Sequence, residues 1–420
     1  MLFDWPPGRD PPQIQPHSKA KLVVLRNYLR AYFDRLNVGL GQDRFKLDLV
    51  DGFAGGGTFL DDGDTLISGT PLIMLEELAA ARERLNAKRT KPLQFDCKCY
   101  FVDVNKDHAD HLSKVLVERG YDPVGNDIVV RTGRFADEVD GIVADIRRRQ
   151  PRSGRAIFLL DQTGFSQVEL DLVGRILRDL RNAEVILTFA ADVLINYLDN
   201  DPERVRGIAP LQLSVPDIRS LLADRDGAGG RAVVQRTLRD HIRHITRATY
   251  DTPFFIRPLK SRRALWLLHL SRHPTARDVM MQCHWATNNT FEHYGPGDFG
   301  MLGWDALQEP ASLPLFNFAA MDAERMIAGL LDTMAQEVFD LASDGPVAIE
   351  GVRHALANRT AARFSDLDQV ILQLFREKEF AILTPDGKER SRVLQHLRSK
   401  DLVSFPSTLL LPSFSRVHRP

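Results

Sequence analysis

The stretch "LDLVDGFAGGGTF", Leu47 to Phe59, carries an apolar run that ends in an acid and passes straight into a turn holding Gly52, Gly55, Gly56 and Gly57. Glycines at this density let a backbone turn tightly and approach a ligand, because no Cβ stands in the way. A phosphate-binding P-loop requires Lys and then Ser or Thr after its last glycine; here Gly57 is followed by Thr58 and Phe59. A dinucleotide fingerprint requires a helix that starts at the glycines, so that pyrophosphate meets its N-terminus. The chain runs instead into "LDDGDTLISGTP", a polar loop whose three acids repel a diphosphate.

On both sides of the turn, strand-like runs alternate with helical patterns. "FKLDLVD" ends at Asp51, "KCYFVDV" at Val104, "DIVVRTG" at Gly133, "AIFLLD" at Asp161 and "AEVILTFA" at Ala190. Between and after them, "PLIMLEELAAARERLNA", "KDHADHLSKVLVERG", "FADEVDGIVADIRRR" and "VELDLVGRILRDLRN" space their apolar residues three to four apart, as helices do. Ahead of the first strand, Leu22, Leu25, Tyr28, Leu29 and Phe33 make the apolar face of another helix over 19–36. This alternation predicts a doubly wound α/β fold with a mostly parallel, Rossmann-like sheet. The polar, helical stretch 196–252 reads as an insertion, and "ALWLLHLSRHPTARDVMMQCHWATN" supplies a further strand and helix.

Composition excludes several classes. The 420 residues carry a net charge of -1, 44% hydrophobic and 26% charged residues, so any nucleic-acid surface must be local. Three cysteines, with Cys97 and Cys99 in one strand, give no disulfide framework and no zinc cluster. The proline-rich start, 1–18, reads as a loosely ordered segment without a secretory apolar region, and no apolar run reaches the roughly 18 residues of a membrane span. The expectation is a soluble, cytoplasmic protein.

A cationic ligand suits the glycine turn better than a phosphate. S-adenosylmethionine has a sulfonium, a ribose and no phosphate. Asp51 and the backbone of Gly52, Phe53, Ala54, Gly55 and Gly57 are the candidates for its methionine end, and Asp103 with Val104, ending the next strand, for its ribose. "LLDQTGF", Leu159 to Phe165, follows the fourth strand at the same sheet edge. Asp161, Gln162 and Phe165 are the candidate catalytic residues: Asp161 as acid or base, Gln162 or Thr163 to orient the acceptor, Phe165 to stack on it. Methylation at cytosine carbon 5 needs a cysteine nucleophile, and none falls near this loop. No metal site is expected; the acids of "LDDGDT" lack a spaced partner motif.

In sequence order, "HSKAKLVVLRNYL", "LVDGFAGGGTF", "SGTPLIML", "CYFVDVN", "FLLDQTGF" and "LSRHPTARDVMMQCHWA" resemble the three-Cys-motif partner proteins, a bacterial family similar to S-adenosylmethionine-dependent methyltransferases. The resemblance covers roughly 17–300. It implies a methyltransferase domain and a companion three-Cys-motif protein that looks like a radical S-adenosylmethionine enzyme. Where the family has an Asp-Pro-Phe-Gly or Asp-Pro-Tyr-Gly sequence, this chain has Asp-Gln-Thr-Gly-Phe, without the stiffening proline. That departure keeps a second reading open, a methyltransferase-like scaffold without turnover.

From about 311 the pattern changes to helices followed by a short hairpin, as in a winged helix. The expected division is therefore 19–310, with the insertion at about 196–252, and 311–420. Residues 351–420 hold 12 Lys and Arg against 7 Asp and Glu. Lys388, Arg390, Arg392, Arg398 and Lys400 fall on or beside an expected helix in "KERSRVLQHLRSKD", where they are the candidates for nucleic-acid phosphates.

Overall fold

The computed structural model describes residues 3–35, 43–87, 89–123, 125–162, 164, 166–190, 208–226, 230–256, 265–286, 293–294, 315–316, 320–391 and 393–406. The chain forms two compact units, one of Met1–Tyr294 with Gly303–Ala319, the other of Gly295–Leu302 with Ala320–Pro420.

In the first unit the described elements follow in the order α1 (Pro16–Arg35), β1 (Arg44–Asp51), β2 (Thr58–Leu60), β3 (Leu66–Ser68), α2 (Thr70–Asn86), β4 (Gln94–Asp103), α3 (Lys106–Glu118), β5 (Ile128–Thr132), α4 (Phe135–Arg149), β6 (Arg155–Leu160), α5 (Leu170–Asp179), β7 (Asn182–Phe189), α6 (Val215–Asp226), α7 (Gly230–Thr246), β8 (Tyr250–Ile256), β9 (Leu265–Ser271), α8 (Pro274–Ala286), β10 (His293–Tyr294) and β11 (Leu315–Phe316). Seven strands make one sheet in the order β5-β4-β1-β6-β7-β9-β8. β9 alone runs antiparallel to its neighbours, and the other six are parallel to one another. The order reverses direction at β1, so the carboxyl ends of β1, β4 and β6 border the crevice where such sheets bind ligands.

The central strands are buried on both faces, as parallel strands covered by helices must be. Phe45, Leu47, Leu49, Tyr100, Phe101, Ile157 and Phe158 have no solvent contact. One face packs against α4 and α5 through Val139, Ile142, Ile146, Val173 and Ile176, and the same cluster takes in Leu238 and Ile242 of α7. On the other side α1 packs against α2 and α8, burying Leu25, Tyr28, Leu29 and Phe33 as the spacing predicts.

Two readings of the first unit change. The leading segment is not loose: Trp5 is 4% exposed, its indole N–H donates to Thr58 O (2.7 Å), and Ile14 N donates to Leu60 O (2.8 Å). An apolar indole with a satisfied N–H outweighs the proline-rich composition around it. Strand β8, "YDTPFFI", falls partly in a stretch read as helical; its Pro253 masks the pattern and is tolerated because β8 is an edge strand.

The second unit contains α9 (Ala320–Leu341), β12 (Val347–Ala348), α10 (Ile349–Leu356), α11 (Phe364–Arg376), β13 (Ala381–Leu383) and β14 (Leu402–Ser404). Its sheet is antiparallel in the order β12-β14-β13. Met326, Leu330, Met334 and Val338 recur every four residues along α9 and are fully buried, and α9 packs on α11. The helix expected in "KERSRVLQHLRSKD" is not formed. Arg390 N donates to Ile382 O (2.7 Å) and Thr384 N to Lys388 O (2.8 Å), which continues the chain away from β13 as a hairpin. A helix there would lack a buried face: Val393 is 82% exposed. The second strand expected in "TLLL" lies outside the described residues.

Candidate cofactor and acceptor site

Asp51 ends β1 fully buried. Its carboxylate accepts from Phe53 N (3.0 Å) and from the Thr70 hydroxyl at the start of α2. Burial raises its pKa to about 7, against these two hydrogen bonds, with Asp161 and Asp103 adding repulsion. Three carboxylates therefore feel one another at the carboxyl edge of β1, β4 and β6.

Asp103 ends β4 half-buried. One oxygen accepts from Gly55 N (2.9 Å); the other accepts from Asn105 N (2.8 Å) and lies 3.2 Å from His108 Nδ1. His108 also reaches Asp4 (3.1 Å) and stands edge-on to Trp5. Asp103 thus ties the glycine turn to its own strand end, with a lone pair left on the oxygen that accepts from Gly55 for a ribose hydroxyl. Beside it Val104 is 70% exposed, an apolar side chain bare at the sheet edge where a flat ring can lie.

The glycines of the turn are explained first by the protein's own packing. A Cβ on Gly56 would come within 2.3 Å of the Trp5 ring and one on Gly55 within 2.7 Å. At Gly57 it would meet Leu112 at 2.6 Å, and at Gly52 both Leu160 and Phe135 at 2.8 Å. Gly55 and Gly57 also have positive φ, +58° and +82°. Phe53 is half-buried against the core, and Ala54 is buried with its N–H on Val102 O. Trp5, on a segment read as loose, is the site residue the sequence analysis missed; its signal was a lone tryptophan ahead of prolines, too slight to read alone.

Asp161, just past β6, is not free. Lys21 of α1 donates to both of its oxygens at 2.5 Å, with the two side chains 14% and 27% exposed. They line a small pocket with Thr70 and Thr188, walled by Val24, Leu25, Leu159, Ile186 and Leu267. The Thr188 hydroxyl is buried there without a partner. His17, one turn before Lys21 on α1, has its pKa lowered by burial and by Lys21, so its ring is neutral at neutral pH.

Gln162 is buried, and its carboxamide oxygen accepts from Gln167 N (2.9 Å) and Val168 N (3.0 Å). It shapes the loop after β6. Thr163 and Phe165 lie outside the described residues. The cysteines at 97, 99 and 283 are free and buried, and burial pushes the Cys99 thiol up to about 12. His284 is buried with its pKa lowered well below 6.5, and His273 Nδ1 accepts from Thr275 N at the start of α8. In "LDDGDT", Asp61 accepts from Gly63 N and Thr65 N and closes its own loop.

The basic residues of the second unit separate. Arg390 pairs with buried Asp401 (2.7 Å), which takes it out of phosphate binding. Lys388, Arg398 and Lys400 are exposed, Lys388 beside Asp386. Arg392 lies outside the described residues.

The strand order, with its single reversed strand, defines a doubly wound, Rossmann-like α/β fold. No family model matches the chain, and no curated protein matches it. Among solved structures, WbdD with its C-terminal bundle aligns over 61% of this chain at 14% identity and a TM-score of 0.30. A proposed O-methyltransferase from Klebsiella pneumoniae aligns over 60% of this chain and 90% of its own, at 14% identity and a TM-score of 0.26. The chain spans about a third of the WbdD structure, 35%. At such scores the fold assignment rests on the sheet order itself. Among the described residues, no helix is long and apolar enough to cross a membrane.

Proposed function

We propose that the chain is an S-adenosylmethionine-dependent methyltransferase acting on nucleic acid together with a three-Cys-motif partner. One observation carries the cofactor reading: Asp51 and Asp103 gather at the switch point of the sheet beside the Lys21–Asp161 pair, around a turn with no phosphate-binding lysine. Such a site favours a cation and opposes a diphosphate. The residues fit the cofactor: Asp103 for the ribose diol, Val104 for the adenine face, and the Asp51 carboxylate near the ammonium and sulfonium. When bound, it supplies an electrophilic methyl group. The exposed Lys388, Arg398 and Lys400 support the nucleic-acid part, and the order of motifs in the sequence supports the partner.

A second reading has a specific observation in its favour. Lys21 closes the candidate catalytic acid, and Trp5 covers two glycines of the turn, as in a scaffold that has lost turnover. Labelled-methyl transfer to total RNA and DNA, by wild type and Asp103→Asn, with and without the companion, separates the two. Label in nucleic acid that Asp103→Asn abolishes supports the enzyme; bound cofactor without transfer in either condition supports the scaffold.

A further inference from the structure

The pocket beside the cofactor edge has a feature that the methyltransferase reading does not use. Asp161 meets Lys21 through both oxygens, and Thr188, 3% exposed with its buried hydroxyl unpartnered, lines the same pocket. A buried hydroxyl without a partner is costly, and a ligand that bonds it removes the cost. The sign of the charge that develops on the acceptor decides which ligand this is. A nitrogen acceptor gains positive charge as it takes a methyl group, and the fixed ammonium of Lys21 opposes that. A hydroxyl gives up its proton and passes through alkoxide character, which the same ammonium stabilises.

We propose that the acceptor atom is a hydroxyl oxygen held between Lys21 and Asp161, the ribose 2′-hydroxyl of RNA. The proposal rests on the nucleic-acid methyltransferase reading and deepens it, since among nucleic acids only RNA carries this hydroxyl along its backbone. The hydroxyl donates to Asp161 and takes a bond from Lys21, while Thr188 bonds a neighbouring sugar oxygen. With the sulfonium donor bound, the hydroxyl proton goes to Asp161 and the oxygen lone pair forms the C–O bond. The C–S bond breaks, and its electron pair stays on sulfur as the thioether leaves. Lys21 keeps its protons throughout, and Asp161 returns the acquired proton to water. Val24, Leu25, Leu159, Ile186 and Leu267 supply the apolar wall for the sugar face. Entry of the acceptor requires the Lys21–Asp161 contact to open, because the closed pocket holds about one water molecule.

The test uses the full chain as wild type, Lys21→Met, Lys21→Arg and Asp161→Asn, with total RNA and total DNA as probes and a carbon-13 methyl-labelled donor. Calorimetry with S-adenosylhomocysteine is run in parallel, and the His17 ring is titrated by NMR. In wild type, label enters RNA alone, with the carbon-13 shift of an O-methyl group, and leaves alkali-resistant dinucleotides. Lys21→Met loses about 100-fold or more in transfer, binds S-adenosylhomocysteine as wild type does, and raises the His17 pKa by removing a neighbouring cation. Asp161→Asn lowers the His17 pKa, and Lys21→Arg retains part of the transfer. Methyl on nitrogen, equal label in DNA, no label in RNA although the cofactor binds, or an undiminished rate in Lys21→Met overturns the proposal. Failure of wild type to bind S-adenosylhomocysteine removes the cofactor reading itself, and the proposal with it.

Discussion

Asp51→Asn separates the cost of a buried carboxylate from the hydrogen bonds it makes. Asn accepts from Phe53 N as Asp does and can donate to the Thr70 oxygen, so the local network survives. In the folded chain Asp51 titrates at about 7, against 3.8 when unfolded. The folded state therefore binds a proton that the unfolded state has already released. That contribution to stability is full below about pH 4 and is lost as pH rises through 7. A shift of about three pH units is worth about 4 kcal/mol. Between pH 4 and pH 8.5, the stability difference between Asp51→Asn and wild type moves by about 4 kcal/mol in favour of the variant. Trp5, Trp266 and Trp285 lie in the first unit, and no described residue of the second is a tryptophan, so urea unfolding followed by tryptophan fluorescence reads the first unit. A difference that stays constant across this range refutes the reasoning. Saturating S-adenosylmethionine flattens the wild-type slope, because a cation beside Asp51 offsets the cost of ionising it.

Other outcomes follow from single contacts. Trp5→Ala destabilises the first unit by about 3–5 kcal/mol, and Gly56→Ala, whose Cβ meets the Trp5 ring, by about 1–3 kcal/mol; in the double variant the two losses are less than additive, which a denaturation cycle measures. Arg390→Ala leaves Asp401 buried without its cation and costs the second unit about 3–5 kcal/mol, seen as a lowered unfolding midpoint. Lys388→Ala and Lys400→Ala leave stability within about 0.5 kcal/mol of wild type, and each reduces the salt slope of RNA binding by about 1. Cys99, with its thiol raised to about 12, resists iodoacetamide at pH 8 until the chain is unfolded, which mass spectrometry reads directly.

The sheet was legible because its central strands are largely buried and end in apolar stretches, "LVD" in β1, "CYFVD" in β4 and "AIFLL" in β6. "KLDLVD" and "AIFLLD" each end in an acid that the fold brings to one edge. β8 was harder to see, since an edge strand carrying Pro253 has no such run. The helix expected over the basic segment failed for a tertiary reason: Arg390 and Asp401 form a buried pair that fixes the hairpin, and residue spacing does not report a pair made across a loop. In the candidate site, Asp51, Asp103 and Asp161 were readable as strand-end acids. Lys21 was hidden in an ordinary amphipathic helix, and only the packing of α1 against the sheet edge shows that its ammonium meets Asp161.

Calorimetric titration of S-adenosylmethionine into the wild-type chain and Asp103→Asn tests the central claim most directly. The account predicts one binding site per chain in wild type, with affinity reduced at least tenfold in Asp103→Asn, equivalent to about 1.4 kcal/mol, and binding that strengthens from pH 6 to pH 8 as Asp51 ionises. No heat of binding in wild type at either pH, or equal affinity in the two proteins, contradicts it.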